Sequence, residues 1–465
     1  MRDHCDSTTA LSALPPQTGQ CVSIFVGFDH PLLQLKRALD WEKLRDVMVK
    51  HWRAAGKNVE SGPGQVWPVC LYVPLLVLMS VKSLSSRQME EYISENVVAR
   101  LFLGLEDQLL PHIRDHSNIA RAQAGLGVLG WEQVNHLVVR ESVRLGFGHP
   151  EILSSDTTVQ EPQIGYPNEA GILRGVAQRC LRALRRICDT TLHAVATARQ
   201  RAVELLKSVK TYHLFAKTTQ QKDTLLREMV WQAVDMMESV EQVLQEEGQS
   251  TDKVNHSFME RLTQMVEVTR VLIPQIVHWV ETGVVARGKL LHSGITQARA
   301  IVKNKAGKKV EFGLKWLINR IKGGYVFGKV VHPHSDEKNM PIEGLSNYRE
   351  VFGKEAVPDF LVYDRGGSCS PTVNQLSKEG IKKIGIMPAG KATWHVAEED
   401  QKEVRSQRGK TEGSIGTLKS KKYSFNQSRE RSNEAVVAAG QRAMVCMNLG
   451  NLMRDIVGKQ EQAAQ

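Results

Sequence analysis

Apolar positions in the first third of the chain recur at helical spacing. The run at residues 41–49 follows Asp40, a residue type that accepts backbone hydrogen bonds at helix starts. The window at residues 66–81 is the most apolar of the chain, but it is shorter than the ~20 apolar residues of a membrane-spanning helix and contains two prolines. We therefore predict buried helices in an all-α domain at residues 21–150, and a disordered tail at residues 1–20.

A polar turn follows the apolar window. Ser85 and Gln88 have the spacing of a capping box, which predicts a second helix directly after the turn. Two helices joined in this way form either an ordinary hairpin or a helix-turn-helix, whose second helix contacts DNA. Arg87, at the start of that second helix, is the candidate DNA contact of the region.

The middle of the chain is helical over a long distance. Residues 176–247 contain neither Gly nor Pro, and their apolar residues recur every three or four positions. A further helical stretch is predicted at residues 252–300, interrupted near Pro274 and Gly283. Because strand patterns lie on both sides of this block, we interpret residues 169–305 as a helical insertion.

Strand patterns dominate the rest of the chain. A first strand is predicted at residues 151–159, and later strands at residues 308–314, 324–331, 360–363 and 381–387. Helices are predicted at residues 370–379, from about Thr411, and at residues 433–456. Apart from the insertion, the order is strand, two strands, helix, strand, helix, strand, helices, which predicts an α+β or α/β fold with a mixed sheet.

The composition of the chain favours one class of binding partner. The 465 residues carry a formal net charge of +11, which favours a polyanion because each phosphate contact by Lys or Arg releases condensed counterions. The seven cysteines are scattered and odd in number, which argues against a disulfide framework or a zinc module. We expect a cytoplasmic protein without a membrane span.

Two acids lie in or directly after predicted strands. Asp364 follows the apolar run Phe360–Tyr363 and precedes two glycines, so its carboxylate is expected at a sheet edge with its oxygens accessible. Asp156 lies within the first predicted strand. Either acid alone is also typical of an ordinary turn or strand residue.

A third acid connects these two with a known family. Arg408, Glu412 and Lys419 have the spacing of the Tyr-Arg-Glu-Lys signature of DDE insertion-sequence transposases, although Arg405 stands at the Tyr position. The Asp-Thr-Thr-Val segment of Asp156, followed by Tyr-Pro, resembles the first-acid segment of that family. The Tyr-Asp-Arg-Gly segment of Asp364 resembles the second.

The resemblance implies a fold and a chemistry. It implies a ribonuclease-H-like catalytic domain at residues 151–465, interrupted by the insertion, and a DNA-binding domain at residues 21–150. Asp156, Asp364 and Glu412 would be the catalytic carboxylates and would hold two Mg²⁺ ions, with Mn²⁺ as a substitute. Carboxylates are suited to this role because Mg²⁺ prefers hard oxygen ligands, and two such ions assist both the attacking and the leaving oxygen of a phosphodiester.

Other acids compete for these roles. Asp359 could replace Asp364, although it precedes the strand, and Glu403 could replace Glu412, although it misses the spacing to Arg and Lys. Glu311 lies in a predicted strand and is typical of a structural residue. A His-x-His-x-Asp cluster follows another predicted strand and is either a polar loop or a transition-metal site; it comprises His332, His334 and Asp336.

Basic residues flank Glu412. They form either a solvated face or a set of phosphate contacts, and the second interpretation is favoured beside a phosphodiester site. The candidate DNA contacts here are Arg405, Arg408, Lys419, Lys421 and Lys422, with Lys402 and Lys410 nearby. Lys419 lies about two helical turns after Glu412 and should share its face. Trp394 and His395, just before this helix, could stack on a base or simply pack.

The sequence favours one function and leaves three alternatives. The favoured function is a transposase that binds the terminal inverted repeats of a bacterial insertion sequence and target DNA, as a homo-oligomer on double-stranded DNA. The first alternative is a ribonuclease-H-like nuclease that only hydrolyses. The second is a non-catalytic DNA-binding repressor derived from a transposase, and the third is a helical scaffold.

Overall fold

The computed structural model divides the chain into two compact units. The first unit comprises residues 1–160, 315–428 and 437–465, and the second comprises residues 161–314 and 429–436. The structure describes residues 11–12, 23–24, 26–27, 29–59, 68–105, 116–187, 193–247, 253–302, 310–388, 394 and 396–463. The predicted tail at residues 1–20 lies outside them, except for β1 (Leu11–Ser12), which pairs antiparallel with β2 (Ser23–Ile24).

Helices form the N-terminal part of the first unit. They are α1 (Pro31–Ala38), α2 (Trp41–Ala54), α3 (Val69–Lys82), α4 (Ser86–Glu95), α5 (Val97–Leu103), α6 (His116–Gly125) and α7 (Gly127–Arg144). Two of the predicted helix starts are confirmed. The Asp40 carboxylate accepts a hydrogen bond from the Lys43 backbone N–H at 3.1 Å, and Ser85 and Gln88 form a capping box.

Helix α3 is apolar on all sides because it is buried on all sides. Residues 72–81 are all buried, including Pro74. Helix α4 follows after three residues and is bent by 100° from α3. Among the described residues, no single helix is long and apolar enough to cross a membrane, and α3 with α4 passes that test only as this bent pair.

A mixed sheet of six strands contains every predicted strand. The strands are β3 (His149–Gln160), β4 (Arg299–Val302), β5 (Val310–Lys322), β6 (Val326–Val330), β7 (Phe360–Tyr363) and β8 (Lys383–Ile386). They lie in the order β4-β5-β3-β7-β8, with β6 also paired to β5. Strand β7 is parallel to β3 and to β8, whereas β5 is antiparallel to β4 and to β6. Strand β4 was not predicted, and β5 continues eight residues beyond the predicted end at Leu314.

One hydrophobic core joins the N-terminal helices to the sheet. It also includes residues of α12 (Met340–Phe352), α13 (Ser370–Lys378) and α15 (Asn433–Ala463). Inside it, the Asn448 side-chain amide donates to Asn135 Oδ1 at 2.7 Å, and both amides donate to the Val326 carbonyl. These contacts connect α15, α7 and β6, so helices α1 to α7 and the sheet share one packed interior.

The second unit is a separate bundle of long helices. They are α8 (Glu169–Leu184), α9 (His193–Phe215), α10 (Thr219–Glu247) and α11 (Lys253–Thr282), and they bury their own Ala-, Leu-, Val- and Met-rich core. The predicted interruption at Pro274 is wrong, since α11 runs through that residue. The helix ends before Gly283, whose positive φ of 66° turns the chain.

Candidate active site

The pairing of β3 with β7 brings the first two acids together. Ser154 lies beside Val362 in this parallel pair, so two residues further Asp156 lies level with Asp364. Residues in register on parallel strands point to the same face of the sheet. Asp364 directly follows the last residue of β7, where its Oδ1 accepts the Arg365 backbone N–H at 2.7 Å. Asp156 is half-buried and Asp364 is about half exposed.

The third acid comes from a helix packed on the same face. Helix α14 (Glu398–Leu418) contacts β3, β7 and β8, and Thr411 Oγ1 lies 2.8 Å from Ser154 Oγ. Ser154 is two residues before Asp156 and points to the same side of β3. Glu412, the residue after Thr411, is therefore carried to the strand ends that bear the other two acids.

Helix α14 begins earlier than predicted. Its first residue is Glu398, not a position near Thr411, so the helix passes through Gly409 without a break. Arg408 therefore lies one turn before Glu412 on the same face, and Lys419, the C-cap, lies about two turns after it. The prediction that Glu412 and Lys419 share a face agrees with this helix, and the early start of α14 places Arg408 beside Glu412 as well.

Arg408 connects two of the three carboxylates. Its Nη2 lies 2.7 Å from Asp364 Oδ1 and 3.6 Å from Glu412 Oε1, and its side chain is 29% exposed. The three acids offer the hard oxygen donors that Mg²⁺ prefers. Within the part of the chain that the structure describes, however, no group of three or more His, Cys, Asp or Glu side chains is arranged to hold a metal ion. The donor chemistry fits Mg²⁺, but the Arg408 guanidinium provides the positive charge at Asp364.

A fourth acid holds the two strand ends from the other face of the sheet. Glu337, in a short 3₁₀ helix after β6, accepts a hydrogen bond from the Tyr363 hydroxyl at 2.7 Å and from the Thr157 hydroxyl at 3.2 Å. It also pairs with Lys315 at 2.7 Å, whose side chain is only 9% exposed. Thr157 adjoins Asp156 and Tyr363 adjoins Asp364, so Glu337 fixes the residues next to both acids. The sequence contained no sign of this role beyond an acid shortly after a strand.

The Tyr363 phenol lies near three of these acids. Burial raises the pKa of the Tyr363 phenol, and the charge of Glu337 and its hydrogen bond raise it further. The carboxylates of Asp156 and Asp364 raise it as well, which is consistent with both lying near the phenol. Tyr363 therefore stays protonated and donates to Glu337 at neutral pH.

The two competing acids have other partners. Asp359 lies before β7, at the opposite end from Asp364, and pairs with Lys382 at 2.7 Å. Glu403, on α14, accepts from the Gln407 amide at 2.7 Å. Gln407 in turn accepts a hydrogen bond from the buried Arg320 at 2.8 Å. These two hydrogen bonds therefore belong to the packing of α14 on the sheet.

The His-x-His-x-Asp cluster forms a loop. His332 and His334 have ring centroids 5.6 Å apart, and the Asp336 carboxylate caps the 3₁₀ helix by accepting the Lys338 backbone N–H. It contributes to no metal-binding group among the described residues. Glu311 lies on β5, in the part of the strand assigned to the second unit.

The other predicted DNA contacts lie at the surface. Arg405 lies over the Trp394 ring at 5.9 Å, and Lys422 lies over the Tyr423 ring at 5.1 Å. The exposed residues of this set are Lys402, Arg405, Lys410, Lys421 and Lys422. Arg87 is exposed on α4, and His395 lies outside the described residues. Trp394 is already covered on one side by a guanidinium, which favours packing over a free stacking platform.

One comparison with known proteins gives a match. Residues 21–124 match a family model described as "Transposase domain (DUF772)", which covers less than a quarter of the chain. This match supports a transposase in general. No curated protein and no solved structure matches the chain.

Proposed function

We propose that the chain is a metal-dependent DDE transposase of a bacterial insertion sequence. It would bind the ends of its element, cut the DNA there and join the 3′-hydroxyl to target DNA. The observation that carries the proposal is the register of β3 on β7, with Asp156 level with Asp364 beneath the helix that bears Glu412. The transposase match at residues 21–124 supports it independently.

The three carboxylates have distinct parts in the proposal. Asp156 and Asp364 would be the principal ligands of two Mg²⁺ ions, with Mn²⁺ as a substitute, and Glu412 would complete the second site. When bound, such ions stabilise the negative charge that develops on the attacking and leaving oxygens. Arg408 keeps Asp364 and Glu412 neutralised in their present arrangement. It must release Asp364 Oδ1 before that oxygen can bind a metal ion.

Element order supports a ribonuclease-H-like catalytic domain. After β3 and the helical insertion, the chain continues through antiparallel strands, a helix, the parallel strands β7 and β8 separated by a helix, and two helices. This agrees with a catalytic domain at residues 151–465 interrupted at residues 169–305.

Recognition of the element ends is assigned to the N-terminal helices. Helices α3 and α4 cross at 100° after a three-residue turn, within the range of a helix-turn-helix. The buried α3 would support α4, whose exposed Arg87 would contact the terminal repeat of double-stranded DNA. The protein would act as a homo-oligomer on DNA, in the cytoplasm at the nucleoid.

A strand-transfer assay tests the proposal. The full-length chain is incubated with Mg²⁺, a labelled duplex that carries the terminal repeat of the element, and a target duplex. We expect cleaved ends and joined products. Asp156→Asn, Asp364→Asn and Glu412→Gln should each abolish both while leaving duplex binding intact. Asp359→Asn, directly before β7, and Glu403→Gln, on the same helix as Glu412, are matched controls and should retain activity.

Each alternative function predicts a different result in this assay. Cleavage without joined product would identify a nuclease that only hydrolyses. Specific binding of the end without any cleavage would identify a repressor, and absence of DNA binding at low salt would favour a scaffold. Activity abolished by Asp359→Asn and kept with Asp364→Asn would refute the assignment of the second acid.

A further inference from the structure

Helix α8 of the second unit carries a face made of arginines. Four of them fall within an arc of roughly 140° when each residue advances the helix by about 100°. They are Arg174, Arg179, Arg182 and Arg185, the last being the C-cap with helical backbone angles. The one acid of the helix, Glu169, lies outside this arc and pairs with Lys289. We call these four residues the α8 arginine face.

This face has no counter-charge among the described residues. Among the residues that the structure describes, none of the four arginines forms an ion pair with a carboxylate. Other cations of the same unit are paired, as Arg201 is with Asp235 at 3.7 Å and Arg270 is with Glu241 at 2.7 Å. The positive charge of the exposed arginines of α8 is therefore available to an external anion.

Further cations surround the centre of the face. Burial lowers the pKa of Arg179, and the nearby Arg182, Arg431 and Arg261 lower it further, with no carboxylate opposing them. Burial also lowers the pKa of His292 to about 4, assisted by Arg179 and Arg431. Cations gathered in this way repel one another, and a bound polyanion relieves the repulsion.

Arg179 anchors this arrangement. Its Nη2 donates a hydrogen bond to the Arg431 carbonyl at 2.6 Å. The guanidinium lies across Gly294, where an added Cβ would come within 1.7 Å of Nη2. The same Cβ would lie 2.5 Å from the Arg431 carbonyl, so Gly294 leaves room for the hydrogen bond between Arg179 and this carbonyl, while Arg174, Arg182 and Arg185 are exposed.

We propose that the α8 arginine face binds the phosphodiester backbone of double-stranded DNA, as a second DNA-binding surface apart from the residues near Glu412 and on α4. Arginine suits phosphate because its planar guanidinium donates two parallel hydrogen bonds. From Arg174 to Arg185 the face extends ~16 Å along the helix. That is several times the ~3.4 Å axial rise per phosphate in one DNA strand. A positively charged helix face of this length fits an extended polyanion. The choice of DNA rests on the proposed function.

Salt-dependent binding of a random-sequence duplex tests the proposal in the full-length chain. The variant Arg174→Gln/Arg182→Gln/Arg185→Gln should bind more weakly, and its slope of log affinity against log salt should fall by ~0.9 for each phosphate that is no longer neutralised, or ~2.7 in total. Replacing the same three arginines by Lys should preserve the slope, because charge is retained. The matched control is Arg201→Gln/Arg227→Gln/Arg270→Gln, which removes equal charge from α9, α10 and α11 and should change the slope by less than ~0.9.

Other outcomes overturn the proposal. An unchanged slope in the first variant would do so, as would an equal fall in the control, which would indicate a net-charge effect. If the first variant instead alters the oligomeric state in sedimentation without DNA and keeps the DNA affinity, the face contacts another copy of the chain. Because the probe is a random duplex and no cleavage is measured, this result is independent of the strand-transfer assay.

Discussion

Helices α14 and α8 both carry arginines, but the arginines of the two helices differ in whether carboxylates lie beside them. On α14, Arg408 lies between two carboxylates, whereas on α8 four arginines share one face without an acid. The formal charge of +11 counts both groups equally. The position of the carboxylates decides which arginines are engaged within the protein and which are left for a partner.

Among the substitutions that test the site at α14, Asp364→Asn should have the largest effect on activity. Asp364→Asn removes a proposed metal ligand and also the closest partner of Arg408. Mutation of even the indirect partners of a metal site costs about 10–100-fold, so we expect Mg²⁺-dependent cleavage to fall by at least ~100-fold. Cleavage rates and duplex affinity are measured side by side, with Asp359→Asn as the control. A comparable loss of duplex affinity would mean that Asp364 has another role.

Glu337 is the next most sensitive residue, because it neutralises a buried cation. Glu337→Gln leaves Lys315 without its carboxylate and should lower the free energy of unfolding by about 1–3 kcal/mol. Tyr363→Phe removes only one hydrogen bond to the same acid and should cost about 1 kcal/mol. Chemical denaturation of both variants checks the order. If Tyr363→Phe costs more, the phenol and not the Lys315 pair is the main support.

Arg408 should matter less for stability than Glu337. The three side chains of its cluster are 29%, 47% and 61% exposed, so Arg408→Gln should lower the free energy of unfolding by at most ~1 kcal/mol without Mg²⁺. Mg²⁺ should reduce that difference, because the ion replaces the positive charge that the substitution removes. Thermal unfolding of wild type and variant with and without Mg²⁺ measures this. An identical Mg²⁺ response in both would separate Arg408 from the metal site.

Lys419 should give the smallest effect. If its ammonium contacts one phosphate, Lys419→Ala should lower the salt slope of duplex binding by ~0.9, similarly for every sequence. Mg²⁺ dependence should not change. A slope equal to that of the wild type would leave Lys419 a surface residue whose match to the signature is coincidental.

Local sequence patterns were sufficient to predict the elements whose buried side chains are apolar. Strand β7 lies at the predicted residues because four apolar side chains are bounded by an acid and a Gly pair, and all four are buried. The helix pair α3 and α4 was predictable for the same reason, with a capping box at the turn. Both signals depend only on neighbours in sequence.

The start of α14 and the role of Glu337 could not be predicted in this way. The buried face of α14 includes Gln407, Thr411 and Ser414, so the hydrophobic periodicity that marks a helix is weak there. Glu337 acts through Lys315, Thr157 and Tyr363, which lie on three different strands. Their proximity depends on the completed sheet, which no local pattern contains.

The shared core of the first unit has a consequence for synthesis of the chain. Asn135 meets Val326 across 191 residues and Asn448 across 313 residues. The N-terminal helices therefore leave the ribosome long before the strands and the last helix that cover them. The bundle formed by α8 to α11 is nearly contiguous and can fold in the meantime. Until β6 and α15 emerge, α7 lacks the elements that complete its side of the shared core, and this interval is when the nascent chain most needs protection from aggregation.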